Sequence, residues 1–157
     1  MRYYSHLATA AAGAVFLSES PLPVFSGEIG AAAGAGILIG AVLPDIDETR
    51  SWLGRRAKPL SFIIKFLFGH RGITHSGIVF FLAVYGFLQM DQPFFAGICF
   101  GIAAHITADL FSYGGVPLFY PFRKKRTSLP LYKTGSIIET MLFLGALAYL
   151  LIIFISW

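Results

Sequence analysis

The sequence predicts an all-α integral membrane protein, a bundle of about five transmembrane helices forming one domain over residues 1–157, with a His/Asp cluster at the cytoplasmic face. Three observations carry that expectation. Hydrophobic residues make up 56% of the chain against 13% charged, with a mean hydropathy of +0.71, which leaves no stretch polar enough for an extramembrane domain. Five apolar segments stand out at residues 7–17, 29–43, 73–90, 94–111 and 137–157. If all five cross the bilayer, all 12 lysines and arginines fall on one side, and the opposite loops carry only Glu19, Glu28 and Asp91. The positive-inside rule then puts the N-terminus and both basic loops in the cytoplasm and the C-terminus outside.

Residues 7–17 follow Met1-Arg2 and could be mistaken for a signal peptide. The region where cleavage would fall reads Ser18-Glu19-Ser20-Pro21, without a small-x-small site and with proline beside the cut, so an uncleaved first helix is expected. Segments 7–17 and 29–43 are short for a hydrocarbon core of about 30 Å and need tilt or protein cover. Gly30-x-x-x-Gly34, Gly36-x-x-x-Gly40 and Gly97-x-x-x-Gly101 are spacings that let helix backbones approach closely, so cover is the expected answer. Residues 59–68 are too short to span and suit the membrane interface. Residues 114–122, aromatic and broken by proline, follow the fourth segment, and Arg123-Lys124-Lys125-Arg126 beside them would attract anionic headgroups as well as mark the cytoplasmic side. Membrane lipids are therefore expected partners and nucleic acid is not.

Ionisable residues are costly next to lipid, so those at the segment ends read as a site. His6 opens the first segment. Asp45 and Asp47 close the second, just after Pro44, where a turn can present both carboxylates. His70 lies in the loop before the third segment and His75 in its first turn. His105 and Asp109, four apart, share a helix face in the fourth, and Glu139 starts the fifth. With five spans all eight residues lie at the cytoplasmic face, although no two motifs are close in sequence. Cys99 is the only cysteine, so a metal would be held by His and carboxylate, a donor set that suits zinc, manganese or iron better than calcium and is large enough for two ions.

The strings Leu43-Pro44-Asp45-Ile46-Asp47, Phe68-Gly69-His70-Arg71-Gly72-Ile73-Thr74-His75-Ser76 and His105-Ile106-Thr107-Ala108-Asp109, followed by Gly114-Gly115-Val116-Pro117-Leu118, resemble the YdjM family of bacterial inner-membrane proteins. The resemblance runs from His6 to about Glu139, and His-Arg-Gly-x-Thr-His-Ser is its most specific part. It implies a membrane-bound metal-dependent hydrolase in which the matched His and Asp positions are metal ligands, without supplying a substrate. Bound metal would lower the pKa of a water and polarise the substrate, Arg71 could stabilise charge developing on a phosphoryl oxygen, and Glu48 or Glu139 could be the general base. The setting at headgroup depth fits a phosphoester or lipid-linked substrate. Two other readings stay open. A metal-ion or proton transporter would also place His and Asp in helices, and segments one–two and three–four each begin with His and return to Asp, although the spans lack acids near their midpoints. A structural or stress-response membrane protein with a stabilising metal is the third.

Overall fold

The computed structural model describes residues 1–19, 29–69 and 71–156. Among these the chain is all-helical, with no strand. Six α-helices run in the order α1 (Tyr3–Ser18), α2 (Ala31–Gly40), α3 (Lys58–Phe68), α4 (Gly77–Gln89), α5 (Pro93–Leu110) and α6 (Ile137–Ser156), with short 3-10 turns at Leu43–Asp47 and Ile73–His75. Each apolar segment seen in the sequence holds one helix, and the interfacial segment is α3.

Among the described residues two helices, α5 and α6, are long and apolar enough to cross a membrane. Five crossings are expected from the sequence, and the other three helices fall short of that length. They are α1 with 16 residues, α2 with 10 and α4 with 13. Local chemistry ends the two shortest. Leu43–Asp47 departs from α-geometry around Pro44, and α4 stops at Met90, ahead of Asp91, Gln92 and the Pro93 that opens α5.

The short α2 is seated against α5 through glycines of both helices. A Cβ on Gly36 or Gly40 would overlap the backbone of Phe94 or Ile98, and one on Gly97 or Gly101 would overlap the carbonyls of Ala33 or Ile37. Two of the three glycine spacings thus meet each other across one interface, where the backbones touch directly. The third does not, since a Cβ at Gly30 or Gly34 would meet nothing. Ala10 and Ala14 of α1 complete a small core with Ile37 and Ala41. Helix α6 lies along α1, with Tyr4 edge-on to Phe143 and the Tyr149 hydroxyl donating to Glu19 at 3.0 Å, and most of its surface is exposed.

Between α5 and α6 the chain folds back under the end of α5 without regular structure, tied by isolated bridges of Ser112 to Tyr132 and Val116 to Thr127. The Tyr132 hydroxyl donates to the Ala108 carbonyl at 2.5 Å. Burial, followed by the nearby Asp109 and Glu139 carboxylates, raises its pKa above the ordinary phenol value.

Candidate metal centre

The two 3-10 turns and the last turns of α5 bring their ionisable side chains to one end of the helix assembly. His105, on α5 and fully buried, places Nδ1 2.7 Å from the Ala41 carbonyl at the end of α2. A carbonyl can only accept, so Nδ1 carries the ring proton and the neutral ring keeps a lone pair on Nε2. His75 is held the same way by different groups. Thr74 Oγ1 donates to Asp47 Oδ2 and lies 3.0 Å from His75 Nδ1, while Asp47 Oδ2 itself is 3.4 Å from that nitrogen. With acceptors facing Nδ1, the His75 lone pair also falls on Nε2.

Those two lone pairs face each other. His75 Nε2 and His105 Nε2 are 3.2 Å apart, and Asp45 Oδ1 lies 3.7 Å from the first and 3.8 Å from the second. Three electron-rich atoms so close, two of them buried and the carboxylate partly open, form a group that could hold a cation, a shared proton or a metal ion. The spacing suits a metal, because ligand bonds of 2.0–2.1 Å in a tetrahedron give edges of about 3.3 Å.

A second group forms on the α1 side. His6 stacks on His105 with ring centroids 3.7 Å apart, and its Nε2 lies 3.5 Å from Asp109 Oδ1. Neither His6 nitrogen has a hydrogen-bond partner among the described residues, although the side chain is fully buried. An orphaned imidazole beside a carboxylate is the other observation that fits a metal. Asp109 is itself crowded with positive charge, the Arg71 guanidinium at 2.6 Å from Oδ2 and the Met1 α-amino group at 2.9 Å from Oδ1. Its oxygens face different histidines, since Oδ2 is 3.7 Å from His75 Nε2. His6, His105 and Asp109, and again Asp45, His75 and His105, each offer ligand atoms within 4.8 Å of one another.

Against this geometry the comparisons are specific. The profile of the YdjM inner membrane protein family matches residues 1–157, the whole chain. The chain belongs to the YdjM family. It is 38% identical over 119 residues to an uncharacterized protein, YvsG, of Bacillus subtilis (strain 168), covering 73% of this chain and 71% of that one. It is also 40% identical over 93 residues to the inner membrane protein YdjM of Escherichia coli (strain K12), covering 55% of this chain. The match spans about half, 47%, of the length of that relative. No solved structure gives a significant match. A YdjM-family chain is thus an inner membrane protein, and α5 and α6 fit membrane insertion.

Of the residues singled out as ligands, the family chain brings His6, Asp45, His75, His105 and Asp109 together. Asp47 reaches the same place from behind. It receives the Arg71 backbone N–H at 2.8 Å and the Thr74 hydroxyl, and so faces the Nδ1 side of His75 rather than its lone pair. Glu139 stands apart from both groups, accepting from the Arg2 backbone N–H at 2.6 Å and from Gly135 N–H at 2.5 Å at the foot of α6. Glu48 is drawn off toward Lys65, whose ammonium lies 3.0 and 3.1 Å from its two oxygens. His70 lies outside the described residues. Arg71 is in contact with Asp109, and its backbone takes the left-handed conformation, with φ of 55°, which a non-glycine residue adopts at a cost. The sequence reading missed Thr74 and Ala41, which orient the two histidines. Thr74 sits beside His75 inside the most specific motif, so its neighbourhood was a signal, whereas nothing in the sequence marks a carbonyl.

Proposed function

We propose that this YdjM-family chain is a membrane-bound metal-dependent hydrolase that cleaves a phosphoester, or a lipid-linked substrate of that class, at the cytoplasmic surface of the inner membrane. The observation that carries the reading is the pair of imidazole lone pairs 3.2 Å apart facing the Asp45 carboxylate. All-nitrogen and oxygen donors in tetrahedral spacing favour zinc, with manganese or iron as alternatives. A divalent ion there would supply Lewis acidity toward a phosphoryl oxygen and make water acidic enough to attack at neutral pH. His75 and His105 would hold it through Nε2, Thr74 with Asp47 and the Ala41 carbonyl fixing their rings. His105 has only one free nitrogen and serves one ion. A second would rest on His6 and one oxygen of Asp109, leaving the other oxygen toward His75. Arg71, already against Asp109, is within reach of charge that develops on a substrate oxygen.

Purified protein loaded with zinc or manganese should hydrolyse a generic or lipid-linked phosphoester, and a chelator should abolish turnover. Arg71→Ala should lower kcat by about 100-fold while bound metal per folded protein changes little, since the contact it loses strengthens in the transition state. Absence of phosphoester cleavage under any metal, with metal ions or protons crossing reconstituted vesicles, would replace the hydrolase reading with transport.

The same reading takes the chain as multi-pass with five crossings, N-terminus inside and C-terminus outside. All 12 basic residues then share the cytoplasmic side with the His/Asp groups. The short α2 is packed on one face against α5 and α1, which supports a crossing that does not have to satisfy lipid by itself. A periplasm-active reporter fused after α6 should be active and one inserted at Arg123–Arg126 inactive. The reverse pattern would remove the orientation and the cytoplasmic location of the cluster.

A further inference from the structure

Beside Arg71, and lined by none of the described histidines, lies a cavity of about 410 Å³. It opens between the end of α3 and the segment that follows Pro117, with Phe66, Phe68, Tyr120, Lys124 and Arg126 among its walls beside Arg71. Among the described residues three cations line it and no carboxylate does. Arg71 spends its charge on Asp109 and one N–H on the Gly115 carbonyl, 3.2 Å away, whereas neither Lys124 nor Arg126 makes an ion pair among the described residues. The chain alternates here, since Arg123 and Lys125 of the same basic run do not line the cavity. Its apolar wall continues into the exposed face of α3, where Leu60, Phe62, Ile63, Phe66 and Leu67 are each at least half open. That helix is strongly amphipathic and too short to cross a bilayer, the form of an element lying in the interface.

We infer that this cavity is the headgroup subsite for an anionic membrane amphiphile, with its phosphate held by Lys124 and Arg126 and its tail along the apolar face of α3. The inference rests on the hydrolase reading only in that it places the headgroup beside the same cluster. Charge complementarity calls for an anion, because among the described residues two cations without an ion pair and a third engaged one surround a space with no acid. The apolar continuation calls for a ligand that is greasy at one end. A phosphomonoester lipid meets both demands, and Arg71 joins the subsite to Asp109.

The test uses the full chain in neutral detergent, stripped of metal so that the histidine cluster cannot bind phosphate, with calorimetric titration of dihexanoyl phosphatidic acid, dihexanoyl phosphatidylcholine and inorganic phosphate. The double variant K124A/R126A should bind the phosphatidic acid at least about tenfold more weakly, while R123A/K125A, with the same loss of charge, should stay within about twofold of the parent. Phosphatidylcholine and inorganic phosphate should each bind the parent at least about tenfold more weakly than the phosphatidic acid. All four replaced residues are exposed, so both variants should keep the parent melting temperature. Equal losses in the two doubles would reduce the effect to diffuse surface attraction and overturn the subsite. So would inorganic phosphate or phosphatidylcholine binding as tightly as the phosphatidic acid. If the binding differences hold but no phosphoester is cleaved, the hydrolase reading fails and the subsite stands. If cleavage of the phosphatidic acid proceeds with KM unchanged in K124A/R126A, the subsite fails and the hydrolase stands.

Discussion

His105→Ala is expected to strip metal from the purified protein and end turnover. The residue is common to both ligand groups, its ring lies against His6, and its Nδ1 is anchored on Ala41, so no neighbour can move into the vacated position. Loss of one donor from a three- or four-donor set should weaken metal binding by at least about 100-fold. Thr74→Val, which removes the hydroxyl between Asp47 and His75 without touching a donor atom, should cost about 10- to 100-fold. Lys125→Ala is the control and should bind metal like the parent. Elemental analysis of the detergent-purified variants, with melting curves to confirm folding, reads all three. Parent-like metal content in His105→Ala would mean that the imidazole pair holds a proton instead.

Gly101→Leu is expected to disrupt the helix assembly strongly. Its Cβ would run into the Ile37 carbonyl and the Ala41 backbone nitrogen, which cannot rotate away as a side chain can. Overpacking of this kind costs about 1–3 kcal/mol or more. The same displacement separates Ala41 from α5, so the hydrogen bond that orients His105 is lost with the interface. The variant should melt earlier and carry less metal. Gly145→Leu, on the open face of α6 where a Cβ meets nothing, should melt like the parent. If both variants melted alike, close contact of α2 with α5 would not hold the assembly together.

These two sites also mark how far the sequence could be read. The spacing of Gly36 and Gly40, and of Gly97 and Gly101, is a local pattern whose physical demand, two backbones in contact, is the same wherever the partner lies. The four-residue step from His105 to Asp109 and the turn after Pro44 are local in the same sense. What stayed hidden depends on distant partners. Asp47 and Asp45 are chemically identical and two residues apart, and only the arrival of Thr74 and the Arg71 backbone decides that Asp47 faces the protonated side of His75. Glu139 stands at a predicted boundary as Asp109 does, yet Arg2 and Gly135 occupy its oxygens. Glu48 follows the aspartates directly and is drawn away by Lys65 from the next helix. The second and third segments read longer than α2 and α4 for a related reason. Hydropathy extends through Leu43 and back to Ile73, whereas the backbone has already turned to 3-10 geometry to present its ligands.

Helix α6 carries a consequence for how freely its sequence can drift. With most of its surface bare, a residue such as Leu151 or Ile155 has little to fit except lipid, and one apolar side chain serves there as well as another. Substitution on the bare face of this helix should be limited by oiliness alone, whereas Phe143 and Tyr149 face α1. Its first turn is held differently, with Glu139 buried and clasped by two backbone N–H groups. A helix free to change over its bare face is thereby moored at its foot by Glu139 and along α1 by Phe143 on Tyr4 and Tyr149 on Glu19.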